Sequence, residues 1–239
     1  MTEAVNLYLS GKYGLQHDTW HIHDAANKVK DILPAMFSII DGLDRQKLRI
    51  ADVGSGAGGV SANLIERLSQ IKPDVALNVT GFEISSYAIE IGRNMFPGLD
   101  LKQKFFEASD GPFDIVLFVD VLEHLENPWQ MLRLARETSE FMVVRQPLLD
   151  NFSTFRHNNY KNQRETWGHI SYFNYQSFLD MAQSTGWEPV KTDLVASWEL
   201  AENIGQKPSP ANALMTKLNR TLASFLLSGF YLNGAFRRV

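Results

Sequence analysis

The sequence predicts a doubly wound α/β domain: a seven-stranded, mostly parallel sheet with helices on both faces. Three observations predict it. A β-favouring run ends at Asp52, passes through a glycine-rich turn and enters a helix. Strand-like and helix-like segments then alternate to the end of the chain. The fourth strand-like run, Phe113–Val119, is almost wholly apolar, as a strand covered on both faces must be.

Taken in order, residues 1 to 20 carry Tyr8, Tyr13 and Trp20, and the cluster His17, His21, His23 and Asp24 follows. From Asp24 to Gly42, the spacing of Val29, Leu33, Met36 or Phe37 and Ile40 predicts an amphipathic helix, kinked or restarted at Pro34. The first strand leads into Asp52. Gly54, Gly56, Gly58 and Gly59 then fall within six positions, where a backbone with positive φ turns into a helix close to a ligand. Val60, Leu64, Leu68 and Ile71 mark one face of that helix.

The second strand is expected at Ala76–Phe82, ending at Glu83, with Ser85 or Ser86 capping the next helix. The third is expected at Leu101–Phe106, before a polar turn from Glu107 to Pro112. The fourth ends at Asp120. Asn127 and Pro128 read as cap and first position of a helix with Trp129, Leu132 and Ala135 facing the sheet. A fifth strand, Phe141–Arg145, is expected to close at Pro147.

Residues 148–173 show neither period and hold Phe152, Arg156, His157, Tyr160, Trp167 and His169, the composition of a binding loop or lid. Asn174 caps a helix that turns Phe178, Leu179 and Ala182 inward and stops at Gly186. A sixth strand fits Glu188–Val195, and residues 199–212 read as a loop. Leu214, Leu218, Leu222 and Leu226 lie four apart, which predicts one helix buried on the domain rather than laid on a membrane. The last strand is Phe230–Arg237.

Composition narrows the partners. The 239 residues are 44% apolar and 21% charged, an ordinary globular balance for one domain. The net charge of −4 and the lack of any basic run disfavour nucleic acid. Without cysteine there is no disulfide, thiolate nucleophile or cysteine-held metal, and a reducing cytoplasm is the expected location. The N-terminus does not read as a signal peptide, and Thr221–Leu232 is about half the ~20 apolar residues of a membrane span. His21 and His23 on one side of an extended segment suit a metal. No third-ligand pattern accompanies them, so no metal site is expected and a polar loop or helix start is favoured. A third reading folds this segment over a ligand site.

Glycine turn and acid reinforce each other. Glu83, at the open carboxyl edge of the sheet, is placed to accept hydrogen bonds from a ribose diol, as in a Rossmann-like nucleotide-binding domain.

IADVGSGAGG, then GFEIS, then FDIVLFVDVLEHLENP resembles the class I S-adenosylmethionine-dependent methyltransferases over most of residues 45–196. TWHIHDAANK and GHISYFN resemble segments of its small-molecule members more loosely. The resemblance implies that the last strand inserts antiparallel beside the fifth. It divides a single domain, 1–239, into an N-terminal helical cap (1–44), a cofactor-binding half (45–147) and a substrate-side half (148–239). It implies S-adenosylmethionine as cofactor and S-adenosylhomocysteine as product. Gly54, Ser55 and Gly56 would pack on the methionine portion, with Asp52 near its amino group. Glu83 would hold the ribose and Ile84 the adenine, bordered by Glu107 and Ala108. Asp120 and Val121 would floor the sulfonium. His124 matches a family position or packs a helix. The rivals are an NAD(P)-dependent oxidoreductase, since Gly54, Gly56 and Gly59 also satisfy its glycine pattern, and a non-catalytic S-adenosylmethionine-binding module. Asp52 and the Glu123-His124-Leu125 continuation argue against the oxidoreductase.

Methyl transfer needs a nucleophile aligned with the methyl–sulfur bond and, for some acceptors, a base. His169, on the connection after the fifth strand, is the first candidate, with His21 and His23 behind it. The missing thiol and the absence of the asparagine–proline–proline–aromatic motif favour a small-molecule acceptor, receiving the methyl on O, N or C.

Overall fold

The computed structural model describes residues 22–200 and 207–239. A 3-10 turn, Ile22–Asp24, leads into α1 (Ala25–Ile40). There follow β1 (Lys47–Val53), α2 (Gly59–Ile71), β2 (Ala76–Glu83), α3 (Ser86–Met95), β3 (Asp100–Gln103) and β4 (Phe113–Val119). Next are α4 (Pro128–Thr138), β5 (Ser139–Leu148), α5 (Phe152–Arg156), α6 (Tyr175–Ser184) and β6 (Trp187–Ala196). The chain closes with α7 (Pro210–Leu218), α8 (Arg220–Leu226) and β7 (Phe230–Arg238). The strands form one sheet in the order β3-β2-β1-β4-β5-β7-β6. Strands β1 to β5 pair in parallel, and β7 inserts antiparallel between β5 and β6. The doubly wound sheet and its antiparallel last strand are both present.

Alternation along the central strands builds a core on each face. Ile115, Leu117 and Val119 of β4 pack with Val29, Ile32 and Met36 of α1 and Leu64 and Leu68 of α2. Val116 and Phe118 point to the other face, against Leu132 and Ala135 of α4 and Phe178 and Met181 of α6. There the fully buried Trp187 donates its indole N–H to the carbonyl of Leu132 at 2.9 Å, so its polar edge is satisfied inside the core. Helix α1 runs unbroken through Pro34 and shares the layer of α2. The Asn127, Asn174 and Ser85 caps form as expected, each side-chain oxygen accepting a backbone N–H.

Several expectations fail for identifiable reasons. Trp129 is 37% exposed rather than turned to the sheet, because Pro128, Leu132 and Ala135 already occupy the inward face of α4. The third strand is only Asp100–Gln103. The fifth continues through Pro147 to Leu148: β4 has ended beyond its Val119–Arg145 pair, leaving β7 as sole partner, and a strand edge tolerates a proline. The aperiodic stretch after β5 contains α5, a turn at Tyr160–Asn162 and π-helical Gln163–Trp167. The leucine stripe is not one buried helix. Asn219, extended at φ −154°, ends α7 and caps α8, and Leu214, Leu218 and Leu222 are 57%, 76% and 48% exposed. Small residues are buried there instead: Thr216, Ala223 and Ser224.

Candidate active site

Helix α2 starts after a turn in which Gly54, Gly56 and Gly58 all have positive φ. Gly54 at φ 72° has a second constraint, since a Cβ there would stand 2.8 Å from Val121 Cγ2. The turn therefore lies flat against the end of β4. Its position is locked by Glu83 at the end of β2. Glu83 Oε2 accepts from the Gly56 N–H at 3.1 Å and Oε1 from the Ser85 N–H at 2.7 Å. Burial raises the pKa of this carboxyl, and the backbone donors partly offset it.

These elements open on a cavity of about 990 Å³ at the carboxyl ends of the parallel strands. Gly54, Ser55, Gly56, Glu83, Ile84, Asp120 and Val121 all line it, as do His23 and His169. Asp52, Glu107 and Ala108 do not. Asp52 sits behind the turn, where its Oδ2 accepts from the Ser61 hydroxyl at 2.6 Å. Burial pushes its pKa up to about 6; the Ser61 hydroxyl opposes that and the Glu83 charge adds to it. Glu107 pairs with Lys104 at 2.9 Å, and it is Lys104, Phe105 and Phe106 rather than Glu107 and Ala108 that line the cavity along with Ile84. His21 lies outside the described residues.

The floor is charged. Asp120 adopts φ 56°, an uncommon left-handed conformation for a side chain of this kind. Its N–H continues the ladder to Arg145 O at 2.9 Å, and its Oδ2 meets Arg145 at 2.5 Å and Lys28 at 3.2 Å. Burial favours the neutral acid, but the charges of Arg145 and Lys28 outweigh it and hold Asp120 below the usual carboxylate range. Arg145 also reaches Asp31 at 3.1 Å, and its guanidinium lies 4.3 Å from the Tyr231 ring centre. Sequence reasoning missed Lys28, Arg145 and Tyr231, which come from a helix and two strands far apart in the chain.

At the far end, a 3-10 turn carries Leu122–His124, and the loop after the π-helical segment crosses it. Ile170 and Ser171 N–H groups both donate to Glu123 O, at 2.8 and 2.9 Å. This places His169 against His124, ring centres 4.9 Å apart. Burial, with the neighbouring His124 imidazole, lowers the His169 pKa to about 3, so the ring is neutral near pH 7 but a weak proton acceptor. Burial, with the Asp120 charge, raises the Glu123 pKa well above the usual range. Three buried atoms on the cavity wall, Ser55 Oγ, Asp120 Oδ1 and Glu123 Oε1, have no hydrogen-bond partner among the described residues.

Sequence comparison decides the family. The family model described as "Methyltransferase domain" matches residues 21–192, from before α1 into β6. The chain belongs to the methyltransferase family. It is of the S-adenosylmethionine-dependent class I type with a Rossmann-like sheet. No curated protein matches this methyltransferase in sequence. Among solved structures it resembles magnesium protoporphyrin IX methyltransferase from Synechocystis PCC 6803 with bound S-adenosylmethionine. The TM-score is 0.62 at 11% identity, over 100% of this chain and 99% of that one. It also resembles mycolic acid cyclopropane synthase CmaA1 complexed with S-adenosylhomocysteine, with TM-score 0.61 at 14% identity, over 88% and 84% of the two chains. The [4+2]-cyclase SpnF shares the fold as well, at TM-score 0.54 and 15% identity over 89% and 81%. At such identities the likeness is one of fold. The residues of this methyltransferase fit the cofactor on their own geometry: a glycine cradle a Cβ would fill, and a buried carboxylate fixed at the cavity wall by backbone donors.

Proposed function

We propose that this methyltransferase transfers a methyl group from S-adenosylmethionine to a small-molecule acceptor bound between the charged floor and the His124–His169 end of the same cavity. The observation that carries this reading is the continuity of that space. One cavity of about 990 Å³ runs from the glycine turn past Asp120 to His169, at the top of the roughly 300–1,000 Å³ range of small-molecule sites. The bound cofactor supplies a methyl group on a good leaving group. Glu83 orients the ribose through both hydroxyls, while Ile84 and Phe106 flank the adenine. The backbone of Gly54–Gly56 supports the methionine portion, with Asp52 adding negative potential from behind the turn. Asp120 and Val121 sit beneath the sulfonium. Trp167 and Leu125 line the acceptor end and exclude water there.

The acidic balance and the missing nucleic-acid motifs support a small molecule, and the cysteine-free sequence supports a cytoplasmic setting. The test is calorimetric titration of the protein with S-adenosylmethionine, S-adenosylhomocysteine and NADH in parallel, followed by an acceptor screen for transfer of labelled methyl. Micromolar binding of the first two and none of NADH is expected. NADH binding alone would refute methyl transfer, and cofactor binding with no labelled product in any screen would point to a non-catalytic binding module.

A further inference from the structure

Glu123, His124 and His169 each present one donor atom to a common centre at the acceptor end of the cavity, all within 4.8 Å of one another. Hydrogen bonds identify the atoms. His124 Nδ1 lies 3.2 Å from the Gly168 carbonyl oxygen, which can only accept, so Nδ1 carries the proton and Nε2 the lone pair. His169 Nδ1 stands 3.0 Å from Gln163 Oε1, again an acceptor, which leaves its Nε2 as the lone-pair nitrogen. Glu123 Oε2 accepts from Gln146 Nε2 at 3.2 Å, whereas Oε1 is buried with no hydrogen-bond partner among the described residues, 3.8 Å from His124 Nε2. One buried carboxyl oxygen, without a hydrogen-bond partner among the described residues, and two imidazole nitrogens thus converge. A cation held by the three together would satisfy that oxygen.

We propose that Glu123 Oε1, His124 Nε2 and His169 Nε2 bind a first-row divalent cation of the zinc class, with its remaining positions open to the cavity. Two imidazoles and one carboxylate are the donors such ions take, and three protein ligands with an open position are the pattern of catalytic sites. Metal–donor lengths of roughly 2.0–2.2 Å place tetrahedral ligands about 3.4 Å apart, so closure from 4.8 Å needs a contraction of about 1.4 Å. The outer contacts are already in place: Gly168 O and Gln163 Oε1 on the imidazoles and Gln146 on the carboxylate hold each group in the orientation a bound cation needs.

This inference rests on the methyl-transfer reading for its use, though not for its existence. A cation there draws electron density from an acceptor hydroxyl and eases loss of its proton to water. The oxygen pair then forms the bond to the methyl carbon, while the carbon–sulfur pair returns to sulfur and leaves a neutral thioether. His169 would act as a ligand in place of a general base.

The experiment is a Co²⁺ absorption titration of tag-free full-length protein without cofactor, checked by Zn²⁺ calorimetry. Expected are visible d–d bands that saturate at one equivalent, and at least tenfold weaker binding in His124→Ala and in His169→Ala. His169 sits on a loop, so its variant keeps the test valid if truncating His124 unsettles the fold. Circular dichroism and the S-adenosylmethionine affinity of His169→Ala should stay within twofold of the parent. No bands at several equivalents, or binding unchanged in both variants, would overturn the site. Metal binding in a protein that takes up no S-adenosylmethionine would retain the site and refute its link to methyl transfer.

Discussion

Between Val53 and Glu83 the cavity is walled largely by main chain: three glycines of positive φ, and a carboxylate held by two backbone N–H groups. Between Asp120 and His169 it is walled by side chains, a buried set of acids, cations and imidazoles drawn from α1, β5, a 3-10 turn and the loop after a π-helix. In the proposed reading the first wall meets the part common to every cofactor molecule, and its tolerance is set by backbone geometry. The second wall faces whatever varies, and its properties are set by which charges compensate one another. Substitutions should therefore act sterically on the first and electrostatically on the second.

The largest effect is expected at Gly54. A valine there meets Val121 and must adopt φ 72°, so S-adenosylmethionine affinity should fall at least 1,000-fold, about 4 kcal/mol, by calorimetry. Retained affinity would mean that the turn does not seat the cofactor.

Asp52 tests whether a charge behind the backbone wall matters. Its carboxyl, raised from 3.8 to about 6, binds more protons folded than unfolded, so its contribution to stability declines as pH rises from about 4 to 6 and stays low above that. Asp52→Asn should raise stability in denaturant melts at pH 7.5 by up to about 3 kcal/mol and change little at pH 4. S-adenosylmethionine binding by the parent is expected to weaken below pH 6, and the same variant should lose that weakening. An unaltered pH profile would separate Asp52 from the ligand altogether.

Glu83→Gln keeps one acceptor oxygen and loses the charge. A loss of about 1.5–3 kcal/mol in cofactor affinity is expected by calorimetry. The smallest effect should come from the exposed stripe: Leu218→Ser, at 76% exposure, should shift stability by no more than about 0.5 kcal/mol. A loss of several kcal/mol there would show that the leucine is covered in solution.

The strands, the caps at Ser85, Asn127 and Asn174 and the glycine turn were all legible because each is a local constraint, written in residues a few positions apart. Glu83 was legible for the same reason, at the end of a recognisable strand. The leucine stripe misled because four-residue spacing says which residues share a face, not whether anything packs on it; Asn219 breaks the helix and the sheet faces are already filled. His169 was placed near the reaction centre from its position after the fifth strand, but nothing local foretold its burial against His124.

Sequence alone therefore settled the sheet, its winding and the glycine turn with Glu83 beside it, because backbone conformation follows from residue type at short range. Only the tertiary structure decided which charges neutralise Asp120, why Asp52 titrates near 6, and that Glu123, His124 and His169 share one centre. Those depend on distances between residues up to 114 positions apart, as from Asp31 to Arg145, and on a buried setting where each unpaired group is costly. Such quantities exist only once the chain has folded.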